Sequence, residues 1–211
     1  MLDVDSTLCA IEGIDWLASR RDAALRDRVA QTTELAMRGE IAVADVYAER
    51  LNAVRPSYDE IVQLGRAYVE RIEPGAAELL AKLTNAGIHV VLVTGGLRDA
   101  ILPVAEAIGL PPSAVNAVSL QFTDWGGYAG FDGQSPLTRN AGKVEVVRGL
   151  GLERPTLGVG DGITDLELRT AEPPAVDAFV AYTGVVKREA VVSGADYVIS
   201  AFDELPGIVF G

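Results

Sequence analysis

From Gly75 onward, short apolar runs alternate with stretches whose apolar residues recur at helical spacing. GIHVVLV (87–93), TLGVG (156–160), DAFVAY (177–182) and ADYVIS (195–200) read as buried parallel strands. LRDAILPVAEAIG, GKVEVVRGLG and TDLELRTA between them carry the helical period. Strands alternating with helices predict an α/β fold, a Rossmann-like open and mostly parallel sheet flanked by helices. In such sheets ligands bind at the carboxyl ends of the strands.

The stretch from about residue 11 to 72 differs. IDWLASRR, AALRDRVAQTTELAMR, VADVYAERLNAV and YDEIVQLGRAYVERI are all helical in pattern, with no strand between them. They predict a helical insertion over 12–73, placed after the first strand, with 1–11 and 74–211 forming the α/β core. Pro74-Gly75 marks the return to the core. VSLQFTDWGGYAGFDG (118–133) sets β-prone pieces on both sides of Gly126-Gly127 and predicts a small projecting β-hairpin.

Composition narrows the function classes. The 211 residues are 49% hydrophobic and 23% charged, which is globular composition. A formal net charge of −12 repels nucleic-acid phosphates and anionic membranes, so neither is expected as a partner. Cys9 and His89 are the only residues of their types, which excludes a disulfide framework and a cysteine zinc site. His89 precedes an apolar run and reads as a strand residue. No basic-then-apolar leader is seen, and no apolar run approaches the ~18 residues of a membrane span, so a cytoplasmic protein is expected.

Four polar clusters stand where predicted strands end or helices begin. DVDST carries Asp3, Asp5 and Thr7; residues i and i+2 of an extended segment face one side, so both carboxylates address one site. Such a pair is unfavourable unless a cation holds it or one member is protonated. VTGG supplies the Thr94 hydroxyl and the small Gly95 and Gly96, which let backbone N–H groups approach an anion. Lys143 opens a helix, and VGDGITD adds Asp161 and Asp165. Each cluster alone is also compatible with an ordinary turn or cap. Two glycine motifs are excluded: GVGDGI has Ile163 where a dinucleotide fingerprint needs glycine, and Val144 follows Gly142-Lys143 where a P-loop needs Ser or Thr. Taken together, carboxylates for a hard cation, a lysine and a hydroxyl for phosphate oxygens, and one spare carboxylate suit phosphoryl transfer.

In that order the clusters resemble the four motifs of the haloacid-dehalogenase-like (HAD) phosphatases, over essentially the whole chain. EGIDWLA, AMRGEIAVADVYAERL and YAGFD are similar to the family's phosphoserine-specific branch. The resemblance implies a Mg2+-dependent enzyme of serine biosynthesis, hydrolysing O-phosphoserine to serine and phosphate through an aspartyl-phosphate. It implies Asp3 as nucleophile and Asp5 as proton donor and later base, with Lys143 and Thr94 completing the catalytic set. Asp3, Asp161 and the Asp5 carbonyl would hold Mg2+, supported by Asp165. Glu12, Met37, Arg50, Thr94, Gly95, Gly96 and Thr164 would bind substrate, Glu12 at its ammonium and Arg50 at its carboxylate. Thr164 often gives way to Asn in the family, Leu97 to Phe, and Val118-Ser119 to Asn-Arg. The resemblance makes the 12–73 insertion a helical cap domain, and a monomer or homodimer is expected.

Other functions keep a place: a phosphatase or phosphotransferase for another small phosphorylated metabolite, or a binding module that has lost turnover. The segment before Asp3 should be a buried central strand several residues long. Only Met1 and Leu2 precede it, so a start further upstream is expected.

Overall fold

Leu2 lies at the centre of a parallel sheet, pairing with Leu92 on one side and Val159 on the other. The computed structural model describes residues 1–211. The sheet strands are β1 (Leu92–Leu97), β2 (Val115–Val118), β5 (Leu157–Gly160), β6 (Ala178–Tyr182) and β7 (Tyr197–Ile199). Their spatial order is β2-β1, then the segment around Leu2, then β5-β6-β7, all parallel. Leu2 N–H donates to the Val91 carbonyl at 2.9 Å and Asp3 N–H to the Val159 carbonyl at 3.0 Å. Asp3 thus leaves the sheet between β1 and β5, although its segment forms isolated bridges and no full strand.

Leu2, Leu92, Val93, Val159, Phe179 and Val180 are buried, as a sheet covered on both faces requires. One predicted boundary moves. The run 87–93 was expected to be strand throughout, yet β1 starts at Leu92 and continues through Thr94, Gly95 and Gly96 to Leu97. The reason is pairing, since β2 first meets β1 at Val115, opposite Leu92. Around the sheet lie α5 (Ala76–Asn85), α6 (Arg98–Ala107), α7 (Gly142–Leu150), α8 (Ile163–Thr170), α9 (Glu189–Gly194) and α10 (Leu205–Val209).

The helical stretch forms α1 (Gly13–Ala18), α2 (Ala23–Met37), α3 (Val43–Val54) and α4 (Tyr58–Val69). Asp22 caps α2 through the Leu25 N–H, and Ser57 with Glu60 makes a reciprocal capping box at α4. Leu17, Val29, Leu51, Val54, Ile61 and Leu64 are buried in the shared core. Each such side chain contributes about 1.5–3 kcal/mol of burial before ordering entropy is subtracted.

The hairpin of β3 (Leu120–Phe122) and β4 (Tyr128–Phe131) clasps the α3–α4 corner. Tyr58 N–H donates to the Gly126 carbonyl at 2.9 Å, Tyr128 Oη to Asn52 Oδ1 at 2.9 Å, and the Arg55 guanidinium lies over the Tyr128 ring. No helix is long and apolar enough to cross a membrane.

Candidate active site

The polar clusters meet where the sheet ends. Asp3 follows the central segment, Thr94, Gly95 and Gly96 lie in the last residues of β1, and Asp161 follows β5. Lys143 and Asp165 come from the first turns of α7 and α8. Gly142 makes the Lys143 placement possible: a Cβ there would stand 1.7 Å from the Pro136 carbonyl oxygen, so only glycine lets α7 begin this close.

A cavity of about 70 Å³ is lined by Asp3, Asp5, Glu12, Met37, Arg50, Thr94, Gly95, Gly96, Lys143, Asp161 and Thr164. Of the residues expected at the site, Asp165 alone stands behind this lining, where it accepts a 2.7 Å hydrogen bond from Lys143. The same ammonium lies 2.7 Å from Asp3 Oδ1. Burial works to lower the Lys143 pKa, but Asp165 and Asp3 reverse it, and the net shift is upward. The lysine is a permanent cation.

Asp5 is held from three directions. The Gly13 N–H and the Tyr68 hydroxyl donate to its Oδ1 at 2.8 and 2.5 Å, and the Thr94 hydroxyl donates to Oδ2 at 3.0 Å. Burial, then the neighbouring Asp3, raise its pKa above the usual carboxylate range, and the three donors only moderate the shift. Burial and the neighbouring carboxylate thus favour the protonated form of Asp5.

Asp3, Asp161 and Asp165 bring carboxylate oxygens within 4.8 Å of one another, all buried. Burial pushes Asp161 up to about 6 and, reinforced by Asp3, Asp165 up to about 8. Asp3 Oδ1 has no hydrogen-bond partner, because the nearby ammonium meets it without hydrogen-bond alignment. Crowded oxygen ligands with an unsatisfied atom suit a hard cation, and this cluster can hold one.

On the opposite wall, Glu12 accepts from the Ser6 hydroxyl at 2.6 Å, and burial with the fields of Asp5 and Asp161 raises its pKa well above normal. Arg50 donates through Nη1 to Thr33 Oγ1, which in turn donates to Asp15 Oδ1 at 2.6 Å, while Arg50 Nε is buried without a partner. One carboxylate and one guanidinium thus face the cavity from the helical layer. Tyr47 Oη closes on the Gly95 carbonyl at 2.8 Å.

Sequence reasoning did not find Arg188. Its buried guanidinium donates to Asp161 Oδ2 and pairs with Glu34 of α2 at 3.3 Å, joining the helical layer to the sheet end. The only signal was its position in the segment after β6, at the catalytic end of the sheet. Thr7, the third polar residue of DVDST, donates to Asp161 Oδ1 at 2.8 Å.

The family model described as haloacid dehalogenase-like hydrolase matches residues 1–169. The chain is 38% identical to the chloroplastic phosphoserine phosphatase of Arabidopsis thaliana over 206 residues, 96% of this chain and 68% of the relative. It is 36% identical to the phosphoserine phosphatase of Homo sapiens over 208 residues, 97% of this chain and 90% of the relative. A crystal structure of a phosphoserine phosphohydrolase-like protein from Francisella tularensis superposes with a TM-score of 0.90 at 25% identity, covering 99% of this chain and 97% of that one.

Proposed function

We propose, from the premise that this chain belongs to the haloacid dehalogenase-like hydrolases, that it hydrolyses O-phosphoserine to serine and phosphate with Mg2+. The observation that carries the substrate is the union in one cavity of Asp3, Asp5 and Lys143 with the Glu12 carboxylate and the Arg50 guanidinium. Phosphoserine presents a phosphate, an ammonium and a carboxylate, and each finds an opposite charge. Arg50 suits the carboxylate because its fork can meet two oxygens at once. Glu12, made reluctant to ionise by burial and neighbouring carboxylates, gains a cation when the ammonium arrives. Met37 and Thr164 line the same cavity and would contact the serine side chain between the charged ends. The reading assigns the enzyme to the closing step of serine biosynthesis.

An Asp3 carboxylate oxygen attacks phosphorus while the bond from phosphorus to the serine oxygen breaks, and the proton of Asp5 passes to that oxygen. This leaves an aspartyl-phosphate and an ionised Asp5. Asp5 then takes a proton from water as the water oxygen attacks phosphorus, the bond to Asp3 breaks, and phosphate leaves. Lys143, Thr94 and the N–H of Gly95 steady the phosphoryl oxygens in both steps, while the Gly96 N–H holds the Thr94 hydroxyl in place. Asp3, Asp161 and the Asp5 carbonyl would hold Mg2+, with Asp165 behind, and the bound ion supplies positive charge to the phosphoryl oxygens.

Phosphate release from a panel of phosphorylated amino acids and sugars, with and without Mg2+, tests the reading. Phosphoserine should lead the panel and depend on the ion. A sugar phosphate in first place would overturn the substrate.

A further inference from the structure

We infer that Tyr68 is a positioning residue for the proton transfer: with Gly13 it fixes Asp5 Oδ1, so that Oδ2 is the oxygen that serves the leaving group. This rests on the reading of Asp5 as the proton donor.

A carboxylate on a short side chain turns easily about its last torsion, whose energy wells are broad and nearly two-fold. Its oxygens are chemically equivalent until the surroundings distinguish them. Here they do. Oδ1 receives two donors, the Tyr68 hydroxyl at 2.5 Å and the Gly13 N–H at 2.8 Å. Oδ2 receives only the Thr94 hydroxyl at 3.0 Å and lies against the Gly96 backbone, where an added Cβ would be 2.7 Å away. Thr94 and Gly96 both line the cavity, so Oδ2 is the oxygen on the phosphate side. Thr94 Oγ1 itself accepts from the Gly96 N–H at 2.9 Å and so belongs to the end of β1 expected to receive the phosphoryl group. When its hydroxyl turns to that group, Oδ2 loses its only donor and Oδ1 keeps both.

The Tyr68 ring belongs to the buried core, but packing does not account for where its hydroxyl points. It is fully buried in the last turn of α4, and a buried phenol needs a hydrogen-bond partner; the Asp5 carboxylate is the one it has. Gly13 leaves room for that contact, since a Cβ there would stand 2.2 Å from the Tyr68 hydroxyl oxygen. Because α4 belongs to the helical layer, the proton donor is set in line only when that layer is seated on the sheet.

The test uses Tyr68→Phe in the Mg2+-supplemented enzyme, reading kcat/KM for phosphoserine and for 4-nitrophenyl phosphate, and the inhibition constant of the product serine. The first bond cleavage controls kcat/KM, and serine needs a proton to leave, whereas 4-nitrophenolate does not. The expected result is a loss of about tenfold on phosphoserine, with the aryl ester and serine binding unchanged within about twofold. Equal losses on both esters, no loss on either, or weakened serine binding would each overturn the inference. Should Tyr68→Phe not fold, Tyr68→Met, which also lacks the hydroxyl and adapts to the ring's space, must show the same split or the inference fails. A wild-type enzyme inactive on phosphoserine would instead remove the substrate reading.

Discussion

Lys143 Nζ stands 2.7 Å from Asp3 Oδ1, yet that oxygen enters no hydrogen bond. The ammonium is fixed by its bond to Asp165 Oδ1 at 2.7 Å, and its charge lies against Asp3 at the same distance. The contact keeps the Asp3 carboxylate beside a fixed cation at the end of the central segment. That is what a nucleophile aimed at phosphorus needs.

Asp3→Asn should therefore abolish turnover with the protein still folded. An amide cannot form the acyl phosphate. Steady-state phosphate release beside a thermal melt checks both halves, and turnover within about tenfold of wild type would take Asp3 out of the nucleophile's role.

The cation site has a readout that does not involve turnover. An ion that binds only the folded chain, at about 100 times its dissociation constant, adds about 2.7 kcal/mol of stability. Mg2+ should raise the melting temperature of the wild type. Asp161→Asn, which removes one of the three clustered carboxylates, should lose most of that rise.

Arg50→Ala should discriminate between substrates. Loss of a charged hydrogen-bonding partner costs roughly 2–3 kcal/mol in kcat/KM on phosphoserine and little on a simple aryl phosphate, which has no carboxylate. Equal losses would place Arg50 in the structure of the helical layer and not in recognition.

The pairing of Arg21 with Glu60 predicts a pH dependence of stability. Arg21 donates to Glu60 through Nη1 at 2.6 Å and Nη2 at 2.9 Å, tying the α1–α2 corner to the start of α4. Arg21 first, against burial, holds the Glu60 carboxyl down at about 2. A depressed carboxyl stabilises the fold above its ordinary pKa of about 4.3 and loses that contribution as pH falls through the folded value. The pair is partly exposed and screened, so Glu60→Gln should cost only about 1 kcal/mol at neutral pH. Melting curves of the two proteins should converge between about pH 4.3 and pH 2.

Much of this was legible because the fold writes itself in short periods. Apolar runs marked β5, β6 and β7, and the polar and small residues at the strand ends marked Asp161 and the Thr94–Gly96 end of β1. The helical stretch announced α1 to α4 by spacing alone. Residues whose role depends on reach across the fold left no such mark. Arg188 meets Asp161 and Glu34 from a segment with no periodic pattern, and Thr33 supports Arg50 from within a helix where it reads as an ordinary buried position. Tyr68 looks in sequence like any apolar-face tyrosine of α4, and only the packed structure turns its hydroxyl onto Asp5. The start of β1 was misplaced for a related reason, since a strand begins where its neighbour does and a single run of residues does not record its neighbour.

The most direct measurement is the mass of the Asp3-bearing peptide after the enzyme, mixed with phosphoserine and Mg2+, is quenched rapidly in acid. A peptide heavier by one phosphoryl group, with the modification on Asp3 and absent when serine replaces phosphoserine, is the predicted result. Steady release of phosphate from phosphoserine with Asp3 never phosphorylated would contradict the account.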